Sequence, residues 1–207
     1  MYNELEAQAA TMKYFGGDKI ATDVFMNKYA HRDLDGELLE KTPTDMHRRL
    51  AAEFHRAENK YENPLSYDEI FKALDGFKYI VPQGSPMAAI GDTMRKQSLS
   101  NCFVLPHFPE DSYAGIMYSD QQLAQTLKRR GGVGLDISNI RPKGEVVRNA
   151  ARTTDGIACF MERYSNTTRE VATSGRRGAL MITIDVRHPE IETFIDIKRD
   201  LKKVTGA

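Results

Sequence analysis

After Phe77 the chain alternates short apolar runs with amphipathic stretches of helical period, and this alternation narrows its possible folds more than any other feature. Cys102-Phe103-Val104-Leu105-Pro106 reads as a strand stopped by proline. Ser119 or Asp120 is expected to cap a helix with Leu123, Ala124 and Leu127 inward. That helix ends in Lys128-Arg129-Arg130 and Gly131, where cations answer the helix dipole and a glycine accepts positive φ. Val133 to Ile137 reads as a strand. Ile157, Phe160, Met161, Tyr164, Thr168 and Val171 follow at helical spacing, Ala179 to Val186 is an apolar strand, and Pro189 opens a last helix with Ile191, Phe194 and Ile195 inward. Strands joined by helices of this length form parallel α/β sheets. Three or so strands would leave unpaired edges and half-covered faces, so the segment reads as part of a larger sheet.

The first 75 residues have a different texture. Apolar positions recur at helical spacing from Leu5 through Ala9 and Met12, break at Gly16-Gly17, and resume at Ile20, Val24, Phe25 and Tyr29. Leu34 to Glu37 is a turn signal. Thr42 is placed to cap a helix with Pro43 at its first position, running through Met46, Leu50 and Phe54, and Ser66 with Glu69 forms a capping box ahead of Ile70, Phe71 and Leu74. Tyr79 to Pro82 reads as a short extended piece entering a loop over Gln83 to Pro86. The expected organisation is a helical domain over 1–78 and an α/β region over 79–207.

Composition excludes several classes. With 41% hydrophobic residues, nine Phe and nine Tyr, the chain is not a disordered one. Its 29 Lys plus Arg against 29 Asp plus Glu give zero formal charge, so nothing global favours nucleic acid or a membrane surface. Two cysteines, Cys102 and Cys159, make no disulfide framework, and no Cys/His spacing suggests a metal site, which points to a reducing, cytoplasmic setting. The acidic start Met1 to Glu6 does not read as a signal peptide, and no apolar run is long enough to cross a bilayer.

Three glycine-rich clusters carry possible chemistry. Arg129-Arg130-Gly131-Gly132-Val133-Gly134 lies between a helix and a strand, the reverse of the dinucleotide-binding order. Ile140-Arg141-Pro142-Lys143-Gly144 is a basic turn, and Gly175-Arg176-Arg177-Gly178 precedes a strand. Each alone is compatible with ordinary turn chemistry. Together they gather Lys128, Arg129, Arg130, Arg141, Lys143, Arg148, Arg176 and Arg177 near element ends in a neutral chain, which suits local phosphate binding. Cys102, where Ser98-Leu99-Ser100-Asn101 runs into an apolar strand, is either a small buried hydrophobe or a thiol facing a ligand. Cys159, between Ala158 and Phe160, reads as core. His107 and His188 read as structural or solvated.

The runs Ser98 to Val104, Lys128 to Ile137, Ile140 to Gly144, Phe160-Met161-Glu162-Arg163-Tyr164-Ser165-Asn166 and Gly175 to Met181, in this order and spacing, resemble the catalytic (large) subunit of ribonucleotide reductase from about residue 15 onward. The resemblance implies a helical domain followed by the first part of a ten-stranded α/β barrel, incomplete here, and an activity that reduces ribonucleotides to deoxyribonucleotides by radical chemistry. It implies that Cys102 is one of the thiol pair that reduces the ribose 2′ carbon and becomes a disulfide. It places Ser85, Ser100, Asn101 and Gly132 against the substrate nucleotide. It places Asp111, Ser112, Lys128, Arg141 and Arg148 at an allosteric site for a deoxynucleoside triphosphate or ATP, at a homodimer interface. A thioredoxin-like dithiol is the implied reductant.

The radical cysteine, the partner of Cys102 and most of a second specificity loop, approached by Lys202-Lys203-Val204-Thr205-Gly206, are expected beyond Ala207, so the segment is not expected to turn over by itself. No overall-activity module is expected before Asp18. In this and in Val24 to Ala30 the chain resembles the adenosylcobalamin-dependent branch more than the branch served by a separate metal-containing radical subunit. The competing expectation is a non-catalytic nucleotide-binding regulatory domain that keeps only the effector site.

Overall fold

Asn3 opens the first helix, α1 (Glu4–Tyr14), by accepting the N–H groups of Leu5 and Glu6 on its side-chain oxygen, which satisfies two of the donors that a helix start leaves free. The computed structural model describes residues 1–105, 110–171 and 178–199. Asp18 starts α2 (Lys19–Lys28) in the same way, through Ala21 N–H. In α3 (Pro43–Glu58) proline occupies the first position and the Asp45 carboxylate accepts the N–H of Thr42 at 3.1 Å. Ser66 and Glu69 form the expected reciprocal capping box of α4 (Tyr67–Leu74).

These helices enclose a core of Phe25, Met26, Leu38, Met46, Leu50, Ile70 and Leu74. The inward face of α1 differs from the expected one, and that of α2 agrees at Phe25 and Tyr29 but not at Ile20. Leu5 and Ile20 are exposed, whereas Ala7 and Thr11 on α1 and Thr22, Phe25 and Met26 on α2 are buried. The buried hydroxyls are satisfied: Thr22 donates to the Asp18 carbonyl one turn earlier in its own helix, and Thr11 donates to the carbonyl of Lys41, 30 residues away.

A second difference is α5 (Gly84–Ala89), formed where a loop was expected. Pro86 sits in its first turn, where the missing N–H costs nothing. Arg49 of α3 holds α5 in place, donating to the carbonyls of Met87 and Ile90 while its Nε meets the buried Glu40 carboxylate at 2.7 Å. Gly91, at φ +79°, lies against that side chain, and a Cβ there would fall 2.7 Å from Arg49 Cγ. The contacts divide the chain into units Met1–Asn101 and Cys102–Ala207, so α5 packs with the helical unit.

The second unit is a parallel three-stranded sheet in the order β1 (Cys102–Val104), β2 (Gly132–Asp136), β3 (Leu180–Thr183). One face is covered by α6 (Tyr113–Leu127) and α7 (Ile157–Glu170), around Ile116, Leu123, Val133, Leu135, Ile157, Phe160 and Tyr164. Helix α6 begins earlier than expected, capped by Ser112, whose hydroxyl accepts Gly115 N–H at 3.1 Å. Ser119 and Asp120 are buried within the helix. Asp120 accepts the Thr167 hydroxyl at 2.6 Å and meets Arg163 at 2.8 Å, so it joins α6 to α7 and is not a cap.

At the end of α6 the left-handed residue is Arg130 (φ +71°), not Gly131. Gly131 is there for space, since a Cβ would lie 2.7 Å from the Phe103 ring. A short α8 (Ile191–Asp196) follows β3; Phe194 packs on the core, while Ile195 is exposed. Cys159, expected in the core, is exposed on α7. Pro106, His107, Gly175 to Arg177 and Lys202 to Gly206 lie outside the described residues.

Candidate active and effector sites

Parallel pairing puts side chains of matched residues on the same face of a sheet. Phe103, Val133, Leu135, Leu180 and Ile182 point to the helical layer, so Cys102, Val104, Gly132, Gly134, Met181, Asp136 and Thr183 share the other face. No described element of this unit covers that face. Cys102 is exposed there, level with Gly132, and Val104 is level with Gly134. Two glycines on the neighbouring strand leave the floor beside the thiol clear of side chains, so a planar or ring-shaped ligand can approach the sulfur. Higher up the same face the Thr183 hydroxyl donates to the Asp136 carboxylate at 2.8 Å.

Within the helical unit, Asn101 and Ser85 are brought together. The Asn101 side-chain oxygen accepts Ser85 N–H at 2.9 Å in the first turn of α5, and its amide donates to Gln83. Ser85 is fully buried, and among the described residues its hydroxyl has no hydrogen-bond partner. An orphan buried hydroxyl is costly unless something answers it, which makes Ser85 a candidate ligand group. Ser100 is exposed, its N–H donating to the Ser98 hydroxyl at 3.0 Å.

The basic turn forms a second site. Arg141 Nε meets the Asp111 carboxylate at 2.5 Å, its backbone N–H donates to the same carboxylate at 3.2 Å, and its Nη1 donates to the Val146 carbonyl at 2.9 Å. Both side chains are about one-third exposed, so this is a half-open ion pair at the mouth of a loop. Arg148 is exposed on the excursion closed by the Val146–Thr153 bridge. Ser112 adjoins Asp111 as the cap of α6. Lys128 does not join this group within one chain, because it stands just past the far end of the 15-residue α6, about 24 Å from Ser112 at the rise of an α-helix.

A family model described as the ribonucleotide reductase barrel domain matches residues 100–205, and one described as the all-alpha domain of that enzyme matches residues 15–92. The chain belongs to the ribonucleotide reductase large-subunit family. It is 30% identical over 210 residues to the vitamin B12-dependent ribonucleoside-diphosphate reductase of Mycobacterium tuberculosis (strain H37Rv), covering 97% of this chain and 29% of that protein. It is 31% identical over 139 residues to the large subunit of ribonucleoside-diphosphate reductase from Caenorhabditis elegans (64% of this chain, 17% of the relative). With the variola virus large subunit it shares 34% identity over 118 residues (56% and 15%). The chain thus spans about a third or less of the length of these curated relatives. The parallel sheet lies within the barrel-domain match, and most of the helical unit lies within the all-alpha match.

Reading the sequence alone missed two groups. Asp136 and Thr183 meet only because β2 and β3 are in register, for which the sequence holds no signal. His188 and Glu190 are bound to the basic turn, and the hint was slight: an acid placed just after a proline, where a helix begins.

Proposed function

We propose that the chain carries the reducing thiol and the effector-binding end of a ribonucleotide reductase, acting within a protein that converts ribonucleotides to deoxyribonucleotides. The observation that carries this reading is Cys102, exposed on the open face of a parallel sheet beside Gly132, inside the segment that matches the barrel domain. Two thiols would deliver two electrons and two protons to the ribose; the 2′ carbon would gain hydrogen, its hydroxyl would leave as water, and the sulfurs would join as a disulfide. Cys159, on α7 on the other side of the sheet, is not placed to be the second thiol. Ser85, Ser100, Asn101 and Gly132 would contact the substrate nucleotide, and a thioredoxin-type dithiol would restore the thiols.

Asp111, Ser112, Arg141 and Arg148 are proposed to hold a deoxynucleoside triphosphate or ATP, with the carboxylate accepting from a sugar hydroxyl and the guanidiniums meeting phosphate. Lys128 fits this site through a homodimer, in which a two-fold pairing of α6 would set Lys128 of one copy beside Asp111 of the other. The vitamin B12 dependence of the mycobacterial relative supports adenosylcobalamin as the radical source. The described residues contain no group of three His, Cys, Asp or Glu able to hold a metal ion, and none of the side chains above is assigned to the corrin. No described helix is long and apolar enough to cross a membrane, and a cytoplasmic setting is part of this proposal.

In the full-length protein, Cys102→Ser should abolish multiple turnovers with a dithiol reductant, measured as deoxynucleotide formed per enzyme. Turnover equal to that of the unsubstituted protein would remove Cys102 from the chemistry.

A further inference from the structure

The turn that carries Arg141 is gripped on both sides by the segment after β3. His188 is 7% exposed; its Nε2–H donates to the Ile140 carbonyl at 2.7 Å, and its Nδ1 accepts Glu190 N–H at 3.1 Å. Glu190 in turn uses a single carboxylate oxygen, Oε2, to accept two backbone N–H groups, those of Lys143 and Ile157, each at 3.0 Å. Ile157 is the first residue of α7, so its N–H has no partner within the helix, and the helix dipole favours a negative charge there.

Gly156 makes the slot for this carboxylate. A Cβ at 156 would lie 2.5 Å from Glu190 Oε2, 2.8 Å from Oε1 and 2.7 Å from Lys143 Cβ, and the residue's φ of +80° is one that other residues rarely adopt. The backbone is therefore pinned one residue before Arg141 and two residues after it. From that base the guanidinium reaches Asp111 and the Val146 carbonyl. An arginine whose stem is already ordered loses less conformational entropy when it closes on a phosphate.

We propose that Glu190, seated by His188 and by the slot at Gly156, is a positioning residue for Arg141 and so governs triphosphate affinity at the effector site without touching the nucleotide. The inference rests on the assignment of Arg141 to that site. A double-mutant cycle on the full-length protein separates the two, with deoxythymidine triphosphate as the probe and its Kd read by calorimetry. Arg141→Ala should weaken binding. Glu190→Ala should weaken it by about tenfold, the scale of supporting partners behind a ligand-binding group. Glu190→Gln, which keeps an oxygen for both N–H groups, should recover most of the loss.

In the Arg141→Ala background Glu190→Ala should add little, because its effect passes through that guanidinium. A purely structural Glu190 would cost the same in both backgrounds, and that additivity would overturn the proposal, as would an unchanged Kd for Glu190→Ala alone. An unchanged Kd for Arg141→Ala would instead overturn the effector-site assignment. Should Glu190→Ala fail to fold by circular dichroism, Glu190→Asp, one methylene short of both N–H groups, enters the same cycle under the same criteria.

Discussion

Single residues in this chain are explained by what they make room for. Gly131 and Gly132 are adjacent in sequence at the entry to β2 and serve opposite faces of the sheet: Gly131 accepts the Phe103 ring on the helical side, while Gly132 lies beside Cys102 on the open side. Adding a methyl at 131 would force the ring from its place and press on Thr126 Cγ2, 2.9 Å away. Gly131→Ala should therefore destabilise the fold by about 1–3 kcal/mol, as overpacking does. In urea titrations the loss should shrink when Phe103→Leu is made in the same chain, since the smaller side chain vacates the contact. A loss that is the same with either residue at 103 would refute the steric account. The glycines were visible in the sequence, but their division of labour was not, because a run of glycines does not reveal which face each one serves.

At the scale of elements, the sequence was most informative where a local device ends or begins a helix. The Thr42-Pro43 and Ser66/Glu69 starts appear as expected because both depend on neighbours within four residues. Ser66→Ala removes the hydroxyl that accepts Glu69 N–H and should cost about 1 kcal/mol in thermal or urea unfolding; no measurable change would mean that α4 is held by packing alone. Where the deciding contact is distant in sequence, the expectation went astray. Asp120 looked like a cap by type and position, yet it is buried against Thr167 and Arg163 of α7. Cys159 looked like core by its apolar neighbours, but α7 turns it outward. The buried face of α1 was misplaced for the same reason, as tertiary contact chose small Ala7 and Thr11 over larger Leu5, and on α2 Phe25 is buried as expected while Ile20 is not.

For the molecule as a whole, pH should act through the helical unit. His47 of α3 is fully buried, packs edge-on against Phe77 at 4.6 Å, and has no hydrogen bond to either ring nitrogen among the described residues. Burial holds its pKa below the ordinary 6.5, and the pull of the Asp75 carboxylate, 3.6 Å away, does not reverse this. The folded state therefore favours the neutral ring. Below 6.5 the unfolded chain takes up the proton first, so the stability that His47 contributes is present above that value and lost as pH falls beneath it. Urea midpoints at about pH 7.5 and about pH 5.5 should fall further in the unsubstituted chain than in His47→Gln. An equal fall in both would assign the acid sensitivity to other groups. The family, the helical start and the parallel sheet were all legible from spaced motifs. The bonds that tie the Arg141 turn to Glu190 were not, because they join residues 47 apart through backbone atoms that carry no sequence signature.

The uncovered side of the sheet has a consequence for handling the polypeptide. Val104 and Met181 lie on it at 85% and 68% exposure, and the outer margins of β1 and β3 pair with no other described strand. A slab that is greasy on one side and has free amides along both rims adheres to the first extended peptide it meets. During refolding of this stretch by itself, that peptide is most often another molecule of the same kind, so crowding in the tube, more than heat, decides how much stays in solution.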